Sequence, residues 1–311
     1  MLLSNLFASY SVVAALAMVM LSAGPVSAQQ QAKPMLPAGS AASATASEAA
    51  PYFSLPEMQA QEPGVQKAQQ LLHQMIEALG GRAWLDMQDM QQEGRTYLFS
   101  HGEPSGEGAV FRRLWKWPDK QRVEFSNKRE LPLFSVLPPV PLKSVSWVVI
   151  ENGNEGYEIT YRGPAKQDKE VLQDYLRRRN HSLKWVLRKW LKEPGVAIFY
   201  EGKAVAARKP AEQVTIMNAQ NDAVTIWIDS DTHLPLKKAF TWRDPKTRYR
   251  TEEAEAYENY RPVQGVMVPL SITRYRNDDA VNQVFVSQVS INQGLSDVMF
   301  DAKAVAAPQK K

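Results

Sequence analysis

The chain has 311 residues, 44% of them hydrophobic and 23% charged, which is enough apolar side chain to bury a large core and too much for a disordered protein. It contains no cysteine, which excludes disulfides, thiol catalysis, thiolate metal sites and a diacylglyceryl anchor on the chain itself. The net charge of +4 is mild, so no nucleic-acid partner is expected, and an anionic membrane surface is the easier partner to argue.

Residues 1–28 carry an apolar stretch, Val12 to Leu21, followed by Gly24-Pro25-Val26-Ser27-Ala28, whose small residues at 26 and 28 fit a signal-peptidase site. The apolar run is short for a membrane span, and no Lys or Arg precedes Lys33. The expectation is export by a signal peptide, with an uncleaved anchor as the alternative. Residues 29–62 are rich in Gln, Ala, Ser and Pro and read as a disordered tether, because they cannot offset ordering entropy by burial. From Val65 to Leu79, Ala68, Leu71, Leu72, Met75, Ile76 and Leu79 recur at helical spacing, and Gly80-Gly81 supplies a left-handed stop.

From Glu93 the period changes to two. Strands are expected over 94–100, 108–117, 121–127, 145–151 and 157–161, with turns at Gly102–Gly106, Pro118-Asp119 and Asn152–Asn154. After a long helix at 167–192, strands resume over 196–201, 204–208, 212–219, 223–229, 234–243, 247–258, 266–275 and 283–291. Short links imply an antiparallel meander, and about eleven strands are too many for a flat sheet, so it should curl. The predicted class is α+β, mainly antiparallel β: an incomplete, curled barrel covered by helices.

Three stretches stand out. Phe111, Arg113, Trp115 and Trp117 share one face of a strand by their period of two, and Val123 and Phe125 can join them from the next; Trp147 opens a later strand. Such a face is either core or, if incompletely filled, a wall for a hydrocarbon chain. Leu131 to Leu142 is apolar but holds Pro132, Pro138, Pro139 and Pro141, so it must be a loop. Its Leu133, Phe134, Val136 and Leu137 either pack under the sheet or line a cavity mouth. The third is the helix Lys169 to Lys192, where an apolar stripe faces an arc containing Arg177, Arg178, Lys184, Arg188 and Lys189, with Trp185 beside them. Either those cations are merely solvated over a covering helix, or they dock on anionic head groups or a partner.

Catalytic constellations are missing. Ser105 lacks the preceding glycine of a nucleophile elbow, and His73, His101, His181 and His233 have no metal-ligand spacing. Asp229 and Asp231 suit turn capping, and Gly153-Asn-Glu-Gly156 is too short for a dinucleotide fingerprint. No enzyme, cofactor or metal is expected.

Late in the chain, Val224-Thr-Ile-Trp-Ile-Asp-Ser-Asp-Thr-His-Leu-Pro-Leu-Lys-Lys238 reads as two strands about a polar turn. Tyr260-Arg-Pro-Val-Gln-Gly265-Val-Met-Val-Pro269 reads as a second strand–turn–strand, and Asn292-Gln-Gly-Leu-Ser-Asp-Val-Met-Phe300 closes the domain. This ordered series resembles the outer-membrane lipoprotein carrier and receptor family (LolA/LolB-like). The resemblance implies a periplasmic half-barrel over 63–301, followed by a tail at 302–311, with an apolar cavity for the acyl chains of lipids or lipoproteins. It also implies a role in envelope trafficking and outer-membrane biogenesis, and it makes Arg95 a candidate for the cavity arginine of some carriers. The expected molecule is a monomer that meets membranes transiently. The alternatives are an inner-membrane-anchored form facing the periplasm and a periplasmic sensor with a similar half-barrel acting through a membrane-protein partner.

Overall fold

The computed structural model describes residues 52–54, 62–100, 102–106, 108–126 and 147–306. The signal-peptide segment, most of the tether and the proline-rich stretch with Leu133, Phe134, Val136 and Leu137 lie outside the described residues.

Helix α1 (Pro63–Leu79) starts on a proline, whose fixed φ suits a first turn, and buries Ala68, Leu71, Leu72, Met75, Ile76 and Leu79, the stripe expected from spacing. It stops at Gly80, where φ is 120° and a Cβ would lie 2.3 Å from the Gly265 carbonyl oxygen, so only glycine lets the helix end press on that turn. Phe53, within the expected tether, is buried and stacks on His73 at 4.6 Å. A short helix, α2 (Arg82–Leu85), buries Trp84 and Leu85.

The sheet has fourteen strands: β1 (Asp89–Ser100), β2 (Glu103–Pro104), β3 (Ala109–Lys116), β4 (Lys120–Ser126), β5 (Trp147–Asn152), β6 (Glu155–Thr160), β7 (Gly163–Lys166), β8 (Ala197–Ala206), β9 (Lys209–Met217), β10 (Ala223–Asp229), β11 (Pro235–Arg243), β12 (Arg250–Val263), β13 (Val266–Arg276) and β14 (Asp279–Ile291). All pairings are antiparallel, in the order β7-β6-β5-β4-β3-β1-β14-β13-β12-β11-β10-β9-β8, with β2 paired to β1 alone. The sheet is curled and open: β7 and β8 end it without pairing to each other. The first and last strands, β1 and β14, meet at its centre, so closing the chain closes the two halves of the sheet.

Two expectations change. The segments at 196–201 and 204–208 are one strand, β8, carrying a bulge between Tyr200 and Gly202. The long helix at 167–192 is broken into α3 (Lys169–Asn180), α4 (Leu183–Arg188) and a 3₁₀ turn (Trp190–Lys192), because Ser182 caps a new start by accepting the Trp185 N–H at 3.3 Å.

The main core lies on the inner face, where α1, α2 and α4 meet inward residues of β8, β9, β10 and β13 such as Ile198, Val214, Ile226 and Val268. On the outer face the C-terminal segment crosses β3, β4 and β5: Leu295, Phe300 and Ala302 cover Leu114, Val148 and Ile150. Buried Asp89 accepts backbone N–H bonds from Gln293, Gly294 and Leu295 at 2.8, 2.9 and 3.1 Å and so holds the start of that strap. The expected tail at 302–311 begins as a short helix, α5 (Ala302–Ala306), with Ala302 buried.

Candidate functional site

Strand register decides which side chains face inward. Met90, Gln92 and Gly94 of β1 oppose Trp115, Arg113 and Phe111 of β3, and on the other edge Gly94 opposes Val286. Paired residues share a face, so this set shares the inner face with Val123 and Phe125 of β4, which oppose Arg113 and Phe111. Across the sheet, Ile272 opposes Tyr257 and Arg274 opposes Glu255. Gly94 has no substitute: a Cβ would lie 2.0 Å from the Phe285 carbonyl oxygen at the bulge where β1 meets β14.

Between this face and the α3–α4 cover lies a hollow of about 330 Å³. One end is apolar, with Leu79, Trp84, Met87, Met90, Val266 and Val268. The other end departs from the apolar cavity that the resemblance implies. Arg113, Arg178, Arg179, Lys184 and Arg274 line it, five cations against the single carboxylate of Glu255. Tyr175 and Tyr257 complete that end, and burial pushes both phenols up.

Enclosure weakens these charges. Burial, and then Arg113 and Arg188, press the Lys184 ammonium down to about 7, and its nitrogen lies 4.3 Å from the centre of the Trp115 ring. Burial with Arg274 nearby brings Arg178 down to about 10. Arg113 is lowered by burial against the pull of Glu255 and Glu151, and its shielded Nε has no hydrogen-bond partner. Burial lifts the Glu151 carboxyl to about 7 although Gln121 and Gln167 donate to it. For Glu255 burial acts upward, but Lys238 at 3.5 Å and Arg274 outweigh it and the carboxyl stays low.

The basic helix therefore does not present a uniform arc to water. Arg177 lies over the Trp242 ring at 3.4 Å and pairs with Asp174 at 2.9 Å and Glu253 at 3.5 Å. Arg188 is buried over Trp117 at 3.7 Å and donates to the Met87 carbonyl at 2.7 Å. Arg178 and Lys184 turn into the hollow. Of the six docking candidates, Trp185 and Lys189 are left half-buried at the edge, stacked with each other at 3.9 Å. The helix breaks at His181-Ser182, so a single helical projection over 169–192 misplaces the cations of α4.

Among the other candidates, Trp115 lines the hollow, Trp117 packs between Trp115 and Trp185 at 6.3 and 6.0 Å, and Phe111 is buried with Val284 and Val286. Phe125 and Trp147 stack at 4.9 Å beside the ends of β4 and β5. Arg95 falls out of phase: it pairs with Val110 and Phe285 on the outer face, beside Tyr97, and does not line the hollow. The inward arginine is Arg113, and its place in the period-two run with Phe111 and Trp115 was its signal. Nothing in the local sequence marks Glu255 or Arg274, because their role arises from pairing between β12 and β13.

Asp229 caps its turn, accepting N–H bonds from Asp231 and Thr232 at 2.9 and 3.1 Å and the Lys209 ammonium at 3.0 Å. Gly153-Asn154 is the two-residue link of the β5–β6 hairpin.

Comparison with solved structures finds the same architecture in a DUF1329 family protein from Desulfovibrio piger, at TM-score 0.52 and 12% identity, over 78% of this chain and 98% of that one. The two share a fold. Other structural neighbours are a putative outer membrane lipoprotein-sorting protein domain from Vibrio parahaemolyticus (TM-score 0.47, 12% identity, 78% and 98% of the chains) and a LolA superfamily protein from Nitrosomonas europaea (0.44, 13%, 76% and 98%). Identities this low speak to fold alone. No family model matches the chain, and no curated protein matches it in sequence.

Proposed function

We propose that this is an exported lipid- or lipoprotein-binding protein that holds an acyl chain in the hollow between its curled sheet and the α3–α4 cover, and serves lipid or lipoprotein trafficking in the periplasm. The observation that carries the reading is the hollow itself: about 330 Å³ left unfilled on the concave face, with an apolar end built by α1, α2 and β13. That volume is at the lower end of the roughly 300–1,000 Å³ typical of small-molecule sites, which suits a single chain. Each methylene moved there from water contributes about 0.8 kcal/mol, and no bond need be made or broken.

In this reading Trp115, with Phe111 and Phe125 on the same sheet face, stiffens the wall, and Trp185 with Lys189 meets the membrane surface. The signal-peptide pattern of residues 1–28 supports export. No observation favours the sensor alternative.

Native mass spectrometry of the purified protein tests this. The expected spectrum shows a lipid-sized adduct that disappears on delipidation and returns on incubation with lipid. Preparations that neither copurify nor take up any amphiphile would sink the reading.

A further inference from the structure

Most buried cations of this molecule have partners. Arg177 has Asp174, Glu253 and the Trp242 face; Arg179 donates to the Gly153 carbonyl; Arg188 donates to the Met87 carbonyl; Lys238 has Glu255 and the His181 carbonyl. Among the described residues, four cations that line the hollow break this rule: Arg113, Arg178, Lys184 and Arg274 form no hydrogen bond and no ion pair, although Arg274 sits opposite Glu255 in the β12–β13 pairing, and Arg113 holds a shielded Nε with no acceptor. Glu255 and Glu151 attract Arg113, and Glu253, Asp174 and Glu255 attract Arg178, but none of them reaches ion-pair distance, so gathering these like charges opposes folding.

Deepening the proposed acyl-chain reading, on which it rests, we propose that the polar end of the hollow is an oxyanion site: Arg113, Arg178 and Lys184 receive the carboxylate or phosphate head of a single-chain anionic amphiphile, whose hydrocarbon chain runs toward Leu79, Met90 and Val268. Two guanidinium forks and an ammonium match such a head, because charge-assisted donors to an oxyanion are about twice as strong as neutral ones. The Trp115 face holds Lys184 in place while the site waits for its anion. The orientation follows β13: Val266 and Val268 open the strand on the side that meets α1, and Arg274, with Arg178 near it, lies toward the strand's other end. A neutral chain would leave the cations unanswered, so the site discriminates by head group and not by chain alone.

The test measures binding of the delipidated full-length protein to four probes by calorimetry: dodecanoate, dodecyl phosphate, dodecanol and inorganic phosphate. The expected result is binding of both anionic amphiphiles about tenfold or more tighter than dodecanol, with inorganic phosphate weaker than either. Lys184→Gln and Arg113→Gln should each narrow the ratio of dodecanoate to dodecanol affinity severalfold. Lys203→Gln, at an exposed position on β8, should leave that ratio unchanged and so rules out a bulk-charge effect. Equal affinity for dodecanol and dodecanoate overturns the oxyanion site while leaving the acyl-chain reading standing. Phosphate binding as tightly as dodecyl phosphate overturns it in favour of a free-anion site, and failure of all three chain-bearing probes overturns both readings. If Arg113→Gln fails to fold, Lys184→Gln decides, since that change removes a charge the fold resists.

Discussion

Lys184 is the residue at which the molecule gives up stability for the sake of its hollow. Its ammonium is pressed down to about 7 by burial and by Arg113 and Arg188, whereas in the unfolded chain it titrates at its ordinary value of 10.5. Between those values the unfolded chain holds a proton that the folded chain has lost, so this lysine makes stability rise as pH increases from about 7 toward 10.5. Below 7 the folded protein carries the strained charge and gains nothing. Lys184→Met is therefore expected to be more stable than the parent at neutral pH, by a few degrees in Tm at roughly 2–4 °C per kcal/mol, and to lose the rise on the alkaline side. Thermal unfolding monitored by circular dichroism at several pH values checks this, and a variant that melts below the parent at pH 7 would contradict it. Stabilisation on removing a side chain is what a binding residue, in contrast to a packing residue, produces. Glu151 acts in the opposite sense: burial lifts its carboxyl from 4.5 to about 7, so stability falls as pH rises through that window.

At the level of elements, the cover of the hollow depends on a joint. α3 and α4 meet at His181-Ser182, and Lys238 of β11 reaches this joint from below, donating to the His181 carbonyl at 3.0 Å while pairing with Glu255 at 3.5 Å. Lys238 is 1% exposed and Glu255 is 23% exposed, so removing Lys238 takes the largest counter-charge from a half-buried carboxylate. Breaking such a pair from one side typically costs about 3–5 kcal/mol. Lys238→Met should lower stability by that order in urea titration, and Lys238→Met with Glu255→Gln should recover part of the loss; a double variant no better than the single would show that the joint, not the charge, carries the effect. The two helices were legible as amphipathic segments, and Ser182 is an ordinary N-cap residue. The break was hidden because Leu176 and Leu183 keep the stripe in phase across it, so periodicity alone runs the two helices together.

In the whole molecule, the C-terminal strap and the pairing of β1 with β14 tie the last residues of the domain to its first strand. Asp89 is the knot: one buried carboxylate satisfies three consecutive backbone N–H groups. Asp89→Ala is expected to cost about 2–3 kcal/mol, since hydrogen bonds to a charged acceptor are at the strong end, and to speed amide exchange across residues 293–300 before the rest of the sheet. Uniform exchange throughout the sheet would contradict that role. The alternation of strands, the α1 stripe with its glycine stop, the Asp229 turn and the curl of a many-stranded antiparallel sheet were all legible in the chain, because each follows from local period, turn chemistry or strand number. The charged end of the hollow was not. Arg113 could be placed in phase with Phe111 and Trp115, yet its meeting with Lys184, Arg178 and Glu255 depends on register between strands far apart in the chain and on the helix break before α4. Arg95 shows the same limit from the other side, since one residue of phase puts it on the outer face. Local pattern settles which side chains share a surface; whether that surface is filled, and whether a charge on it meets water or an enclosed hollow, is set by the packing of distant segments, because the energy of a charge depends on everything that surrounds it.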